Sequence, residues 1–343
     1  MHQWLNQMMD FNQKSYLLCP LNGGHGTKYT LSRNHGRVIT KLKKEIVMTK
    51  LSYGYNAPKL KENQFKISPS GAFDFFGFTA SWFEQQFLGQ NKFLGSNASV
   101  RGTVLHWYAE CYAKNNQIGL DDIHEADRYI EEQCADRDIE VTEHGVRNDF
   151  DNMWLMLRSW IDANPLESTE EYISYELTPN VVLSGQVDYK RRNNEAIYTE
   201  DGCIIYPGSM IIGDYKSTGS KNMPKSPSYE HWFQAEIYAT IEALKGNVVD
   251  AVEITYVKAY VPGEVSVKTG RTGKSYPTEV KSFTRPFTKE DFEKKKGQMG
   301  NIADTMEYFF KNPDLANILF KDGRLKGKNI DVFKYHVETD ELF

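Results

Sequence analysis

The sequence predicts an α/β fold in which an N-terminal helical lobe precedes a central mixed sheet flanked by helices. Two observations predict it. Apolar residues recur at helical spacing from about residue 70 to 163, and from about residue 171 they switch to alternation with a period of two. Helix and strand then return in turn after residue 228, the order of a crossover unit. Element by element, "GAFDFFGFTASWFEQQFLG" from Ser70 reads as a helix, and "SVRGTVLHWYAECYAKNN" from about Ala98 as a second. Amphipathic helices are expected at about 121–136 and 143–163. The runs "EYISYELTP", "VVLSGQVDYKRR", "AIYTEDGCIIYP" and "SMIIGDYKS" read as successive strands with turn signals between them. "SYEHWFQAEIYATIEALKG" is helical, with Gly246 as its terminator. "DAVEITYVKAYVP" and "TEVKSFTRPF" are strands, and "TKEDFEKKKGQMGNIADTMEYFFKN" is a helix opened by Thr288 and Asp291 at capping-box spacing.

Residues 1–66 hold eleven Lys or Arg against three acids, with weak periodicity in 1–47, and Met48 is a credible alternative start. They are expected to form a basic, loosely packed extension, and 1–47 to be dispensable for folding. Residues 67–343 are expected to be one domain, with a helical lobe at 70–165 and a core at 170–312. The net charge of −5 argues against uniformly basic surface, but 258–296 hold ten basic residues against five acids, and 101–180 eighteen acids against six basic residues. Basic segments flanking an acidic one suit a polyanion held locally in a groove, and equally suit solubility alone. No apolar stretch approaches the ~20 residues that span a bilayer, so no membrane is expected. "MHQWLNQMMDFNQK" lacks the order of a signal peptide. Cys19, Cys111, Cys134 and Cys203 are scattered without metal-site spacing and read as reduced thiols, so a cytoplasmic protein is expected.

The chemistry gathers around "GDYKST". On a strand, Asp214 and Lys216 share a face and Tyr215 points away. In "GQVDY", Asp188 would lie on a strand paired with this one, so Asp188 and Asp214 can converge on one hard cation, with Lys216 in reach. Such a group suits metal-assisted phosphodiester hydrolysis; a surface hairpin with two turn-associated acids is the plainer alternative. His106 and Glu110 share a helix face, as do Gln234 and Tyr238, and either pair could be ordinary helix packing.

Taken in order, "GTVLH", "GQVDY", "GDYKST" and "QAEIYA" resemble the motifs of the RecB-type nucleases of the PD-(D/E)xK superfamily, over roughly residues 67–260. "KISPSGAFDFF" is similar to the Ser-x-Ser helix start of such domains. The resemblance implies a restriction-endonuclease-like core and a Mg²⁺- or Mn²⁺-dependent deoxyribonuclease, an exonuclease on single strands or DNA ends in replication, recombination or repair, with a phage as a plausible source. It makes His106, Asp188, Asp214 and the Tyr215 carbonyl metal ligands and Lys216 the catalytic lysine. Gln234 and Tyr238 would order the site and contact DNA. A separate helicase or recombinase is a possible partner. A catalytically inactive DNA-binding module of the same fold and a site-specific endonuclease are the alternatives.

The sequence departs from many relatives in lacking the cysteines of an iron–sulfur cluster, since none follows Cys203, so no cluster is expected. The interval between Asp188 and Asp214 is long, and "NNEAIYTEDGCIIYPG" is expected to form an extra strand pair or flap at the site's edge. Gly270 to Ser275 is not a phosphate-binding P-loop, because Lys268 stands where that loop needs a glycine and Pro277 prevents an immediate helix. Lys268, Arg271 and Lys274 could instead touch a nucleic-acid backbone from a hairpin tip, or simply face solvent.

Overall fold

The computed structural model describes residues 50–51, 59–61, 64–77, 96–137, 145–147, 149–199, 202–265 and 267–312. Residues 1–49, which hold most of the expected extension, lie outside the described residues, as do 78–89 of the first expected helix. Two pieces of the segment assigned to the extension are packed. Leu51 is buried in the core of the helical lobe, and Phe65–Ile67 forms strand β1 in the main sheet.

Five of the helices and the sheet form three layers. The sheet contains β1, β2 (Leu166–Thr178), β3 (Val181–Arg192), β6 (Met210–Thr218), β7 (Ala251–Lys258) and β8 (Glu279–Pro286). β2 runs along one edge of β3, while the other edge carries β1 at Val181–Leu183 and β6 at Tyr189–Arg192, followed by β7 and β8. β6, helix α5 (Tyr229–Leu244) and β7 make a parallel crossover unit, while β2–β3, β3–β6 and β7–β8 are antiparallel. Every residue of β7 is buried, as expected of a parallel strand covered on both faces. One face packs against α1 (Pro69–Gly77), α5 and α6 (Lys289–Lys311) through Ile212, Val252, Ile254, Phe233, Ile237 and Met299. The other packs against α2 (Asn97–Asn115) and α4 (Phe150–Ala163) through Val104, Tyr108, Met153, Leu157, Tyr189 and Tyr215. Helix α3 (Leu120–Arg137) packs on α2. Among the described residues, no helix is long and apolar enough to cross a membrane.

Local chemistry explains most boundaries. Ser96 and Ser99 close a reciprocal capping box at the start of α2, and Thr288 with Asp291 does the same for α6. Gly246 follows α5 at φ +89, a conformation that glycine adopts without penalty. The helix expected from residue 143 starts only at Phe150. Asp149 is left-handed at φ 54, and its carboxylate accepts from Tyr260 N–H and from Thr278 Oγ1, tying the helix start to the β7–β8 connection. "NNEAIYTEDGCIIYPG" does form a strand pair, β4 (Ile197–Tyr198) with β5 (Ile204–Ile205). It lies away from the cleft described below, because none of its residues lines that cleft.

Candidate active site

Strands β3 and β6 pair over only four residues, from Tyr189 opposite Gly213 to Arg192 opposite Met210. Beyond Tyr189 and Gly213 they part, and Asp188 and Asp214 are the first residues past the fork. Strand β6 continues alongside β7 through Thr218, so its edge toward β3 stays open. Asp188 occupies that opening: its Oδ2 accepts from the Tyr215 N–H at 2.6 Å, where a longer ladder would have placed a backbone carbonyl.

The side-chain alternation of β3 also slips at Asp188. Val187 packs in the core beneath α5, whereas Tyr189, two residues on, packs in the core beneath α2 and α4. Strand β2 is distorted at the matching point. Thr169 pairs with Tyr189 and Glu171 with Val187, which sets Glu170 across from Asp188, and Glu170 has φ +48, a sparsely populated value for a non-glycine residue.

Helix α2 supplies the histidine. A Cβ on Gly102 would lie 3.1 Å from Ser217 Oγ, so this glycine lets the helix run close to β6. One turn later His106 Nδ1 stands 3.5 Å from Asp188 Oδ1 and 3.3 Å from Glu170 Oε1, its ring edge-on to Tyr215. Ligand atoms of His106, Glu170 and Asp188 all lie within 4.8 Å of one another. Asp214 sits in the same cleft, but outside this group of three. Its Oδ2 contacts Lys216 Nζ at 2.6 Å, and Lys216 donates in turn to Gln234 Oε1 at 3.2 Å. Tyr238 lines the cleft against Gly185, where a Cβ would come within 2.8 Å of the tyrosine ring. The cleft measures ≈ 530 Å³ and is walled on another side by Ser68, Ser70, Ser99 and Thr103.

Electrostatics set the carboxylates apart. Burial pushes Asp214 up to about 6 despite the opposing charge of Lys216, and pushes Glu170 up to about 7 with His106 pulling the other way. For Asp188 burial acts in the same direction, but His106 and Lys216 prevail and hold it below the usual range. Burial disfavours charged His106 and Lys216, yet the neighbouring carboxylates outweigh it and raise both. Glu170 Oε1 and Asp214 Oδ2 are buried, and each faces a nitrogen, His106 Nδ1 at 3.3 Å and Lys216 Nζ at 2.6 Å. Buried carboxylate oxygens beside an imidazole could hold a divalent cation.

Of the residues expected from sequence, His106, Asp188, Asp214, Tyr215, Lys216, Gln234 and Tyr238 all line one cleft. Lys268, Arg271 and Lys274 do not. They are exposed on the β7–β8 connection, held as a loose hairpin by bridges Val261–Tyr276 and Val265–Thr272, with Lys274 over the Tyr276 ring. Glu170 was not anticipated. The signal that would have found it is register: pairing "STEEYIS" with "GQVDY" sets this glutamate opposite Asp188.

No protein-family model matches the chain, and no curated protein matches it. Among solved structures, it is similar to a crystal structure named "Putative exonuclease" from Eubacterium rectale, with a TM-score of 0.44 and 14% identity over 84% of this chain and 97% of that one. At that distance the likeness carries no inference about chemistry, and the functional conclusion rests on the cleft.

Proposed function

We propose that the chain is a divalent-metal-dependent deoxyribonuclease of PD-(D/E)xK type, acting as an exonuclease on single strands or DNA ends. The observation that carries this is the convergence of His106, Glu170 and Asp188 beside the Asp214–Lys216 pair, at the fork between β3 and β6. His106, Glu170 and Asp188 would hold the ion, with Asp214 at its border. When bound, Mg²⁺ or Mn²⁺ would polarise a phosphoryl oxygen and lower the pKa of a coordinated water. Lys216, kept charged by two carboxylates, would steady the attacking oxygen or the developing negative charge. Gln234 holds the lysine toward the cleft, and Asp188 fixes the β6 backbone through Tyr215 N–H.

The test is end-labelled linear single-stranded, linear duplex and closed circular DNA incubated with Mg²⁺, with Mn²⁺ and with chelator. Metal-dependent shortening of the linear substrates is expected, single strands fastest, with the closed circle untouched. Cutting of the circle would replace the exonuclease with an endonuclease. Binding without cutting in either metal would replace it with a DNA-binding module. Gln234→Ala is expected to lower the cleavage rate about 10- to 100-fold, because a small misplacement of the lysine is sufficient, while melting stays within a few degrees of the parent. Equal rates in variant and parent would remove Gln234 from the site.

A further inference from the structure

A second groove, of ≈ 370 Å³, lies between the β4–β5 ribbon, the start of α5 and the edge strand β8. We propose that it binds an unpaired stretch of the same nucleic-acid strand that enters the main cleft; the proposal rests on the nuclease reading. Its walls combine one exposed aromatic side chain, Tyr198, with two cations that cover the rings of Phe283 and Trp232. Tyr198 is 77% exposed. Lys281 Nζ stands 4.1 Å over the Phe283 ring, and the Arg285 guanidinium 4.5 Å over Trp232. Arg285 is also ion-paired to Glu236, which anchors it, so Lys281 is the cation offered to a ligand. Among the described residues no carboxylate lines this groove, although the chain as a whole carries a net charge of −5.

This composition fits one occupant better than others. Every base has a π-face that can stack on an aromatic side chain, and the phosphate beside it needs a cation rather than a specific hydrogen-bonding pattern. The groove is also placed to share a strand with the main cleft. Trp232 and Gln234 are two residues apart on α5, so they point to nearly opposite sides of the helix. One lines this groove and the other the main cleft. A strand crossing the first turns of α5, about 10 Å of helix width, would occupy both.

The experiment measures binding of fluorescein-labelled oligothymidylates of about 6 and about 24 nucleotides, lengths chosen to fill one site or both. The full chain in chelator is titrated by anisotropy at several salt concentrations, and cleavage of the short oligomer is then followed with Mn²⁺. Tyr198→Ala and Lys281→Glu are used because both side chains are exposed and neither lines the main cleft. Each is expected to weaken binding of the long oligomer about tenfold, and Lys281→Glu to reduce the salt slope by about one. Cleavage of the short oligomer should be unchanged. If parent and variants bind the long oligomer equally and still cut it, the groove is not a nucleic-acid site and the nuclease reading stands. If the short oligomer is cut more slowly in proportion, the effect belongs to the main cleft and the proposal fails. If the parent neither binds nor cuts DNA, both readings fail together.

Discussion

Asp214→Asn is expected to abolish metal-dependent DNA cleavage while making the metal-free protein more stable. The loss follows from removing a charge beside the ion and from releasing Lys216, whose ammonium contacts Asp214 Oδ2 at 2.6 Å. Removal of one preorganised electrostatic group from an active site costs about 10²- to 10³-fold, and the coupled loss of the lysine's anchor should take it to the upper end. The gain in stability follows from burial. The folded protein raises the Asp214 pKa from 3.8 to about 6, so the folded state binds its proton more tightly than the unfolded chain does. Stability therefore falls as pH rises through that window, and above about 6 the whole penalty is present. Asparagine carries no such charge, so the advantage of the variant should be absent near pH 4, grow up to about 6 and then level off. Lys216→Ala makes the opposite stability prediction with the same loss of activity, because it leaves the buried carboxylate without its cation. Thermal melts of the three proteins between pH 4 and 8 in chelator, beside cleavage assays in Mn²⁺, separate these effects. A parent more stable than Asp214→Asn at pH 8 would show that the carboxylate is stabilising and the electrostatic picture wrong.

Gly213→Ala is expected to be strongly destabilising. A Cβ at that position would overlap the Tyr189 ring, which lies directly across the last pair of the β3–β6 ladder. That ring is fully buried and cannot swing away. Its hydroxyl contacts Glu253 Oε1 at 2.9 Å and Thr255 Oγ1 at 2.8 Å, and its face meets Tyr215 with centroids 4.6 Å apart. Glu253 is held in turn by Arg191 and Thr284. Overpacking a core costs typically 1–3 kcal/mol, and a rigid, hydrogen-bonded neighbour should place this case at or above about 3 kcal/mol. Because the displaced strand carries Asp214 and Lys216, activity should fall by at least about 10²-fold even where the protein still folds. Urea unfolding followed by circular dichroism measures the first effect. A double variant with Tyr189→Ala should cost less than the sum of its parts, since Tyr189→Ala removes the ring that the added methyl would meet. A midpoint shift below about 0.3 M for Gly213→Ala alone would mean that the two strands yield more easily than their packing suggests.

The layered architecture was legible because its signals are local. The switch of period near residue 171, the capping pairs and Gly246 each act within a few residues, and the helix, strand and helix order after Ser228 appears as expected. The start of α4 was not legible, because the left-handed turn at Asp149 is stabilised by Tyr260 and Thr278, more than a hundred residues away. Seven candidate residues were legible as an ordered set of short patterns, and they line one cleft. Glu170 was hidden for the opposite reason. It sits in "STEEYIS" among other acids and hydroxyls, and its backbone value of φ +48 is imposed by the sheet rather than by its own preferences.

The fork between β3 and β6 bears on how an inactive form of this protein should be made. Two antiparallel strands that part after four residues have every incentive to zip further, and here the Asp188 carboxylate is the stop, seated on the Tyr215 N–H. Truncating it would leave the Tyr215 N–H without its acceptor at the end of the ladder, where amide hydrogen exchange would report any change in strand pairing. An Asp188→Ala protein is therefore expected to lose a backbone anchor of the cleft as well as a carboxylate, so affinities measured on it would mix the two effects. Asp188→Asn keeps an acceptor for that N–H and Asp214→Asn leaves the stop in place, so these are the variants that preserve the shape a substrate would meet.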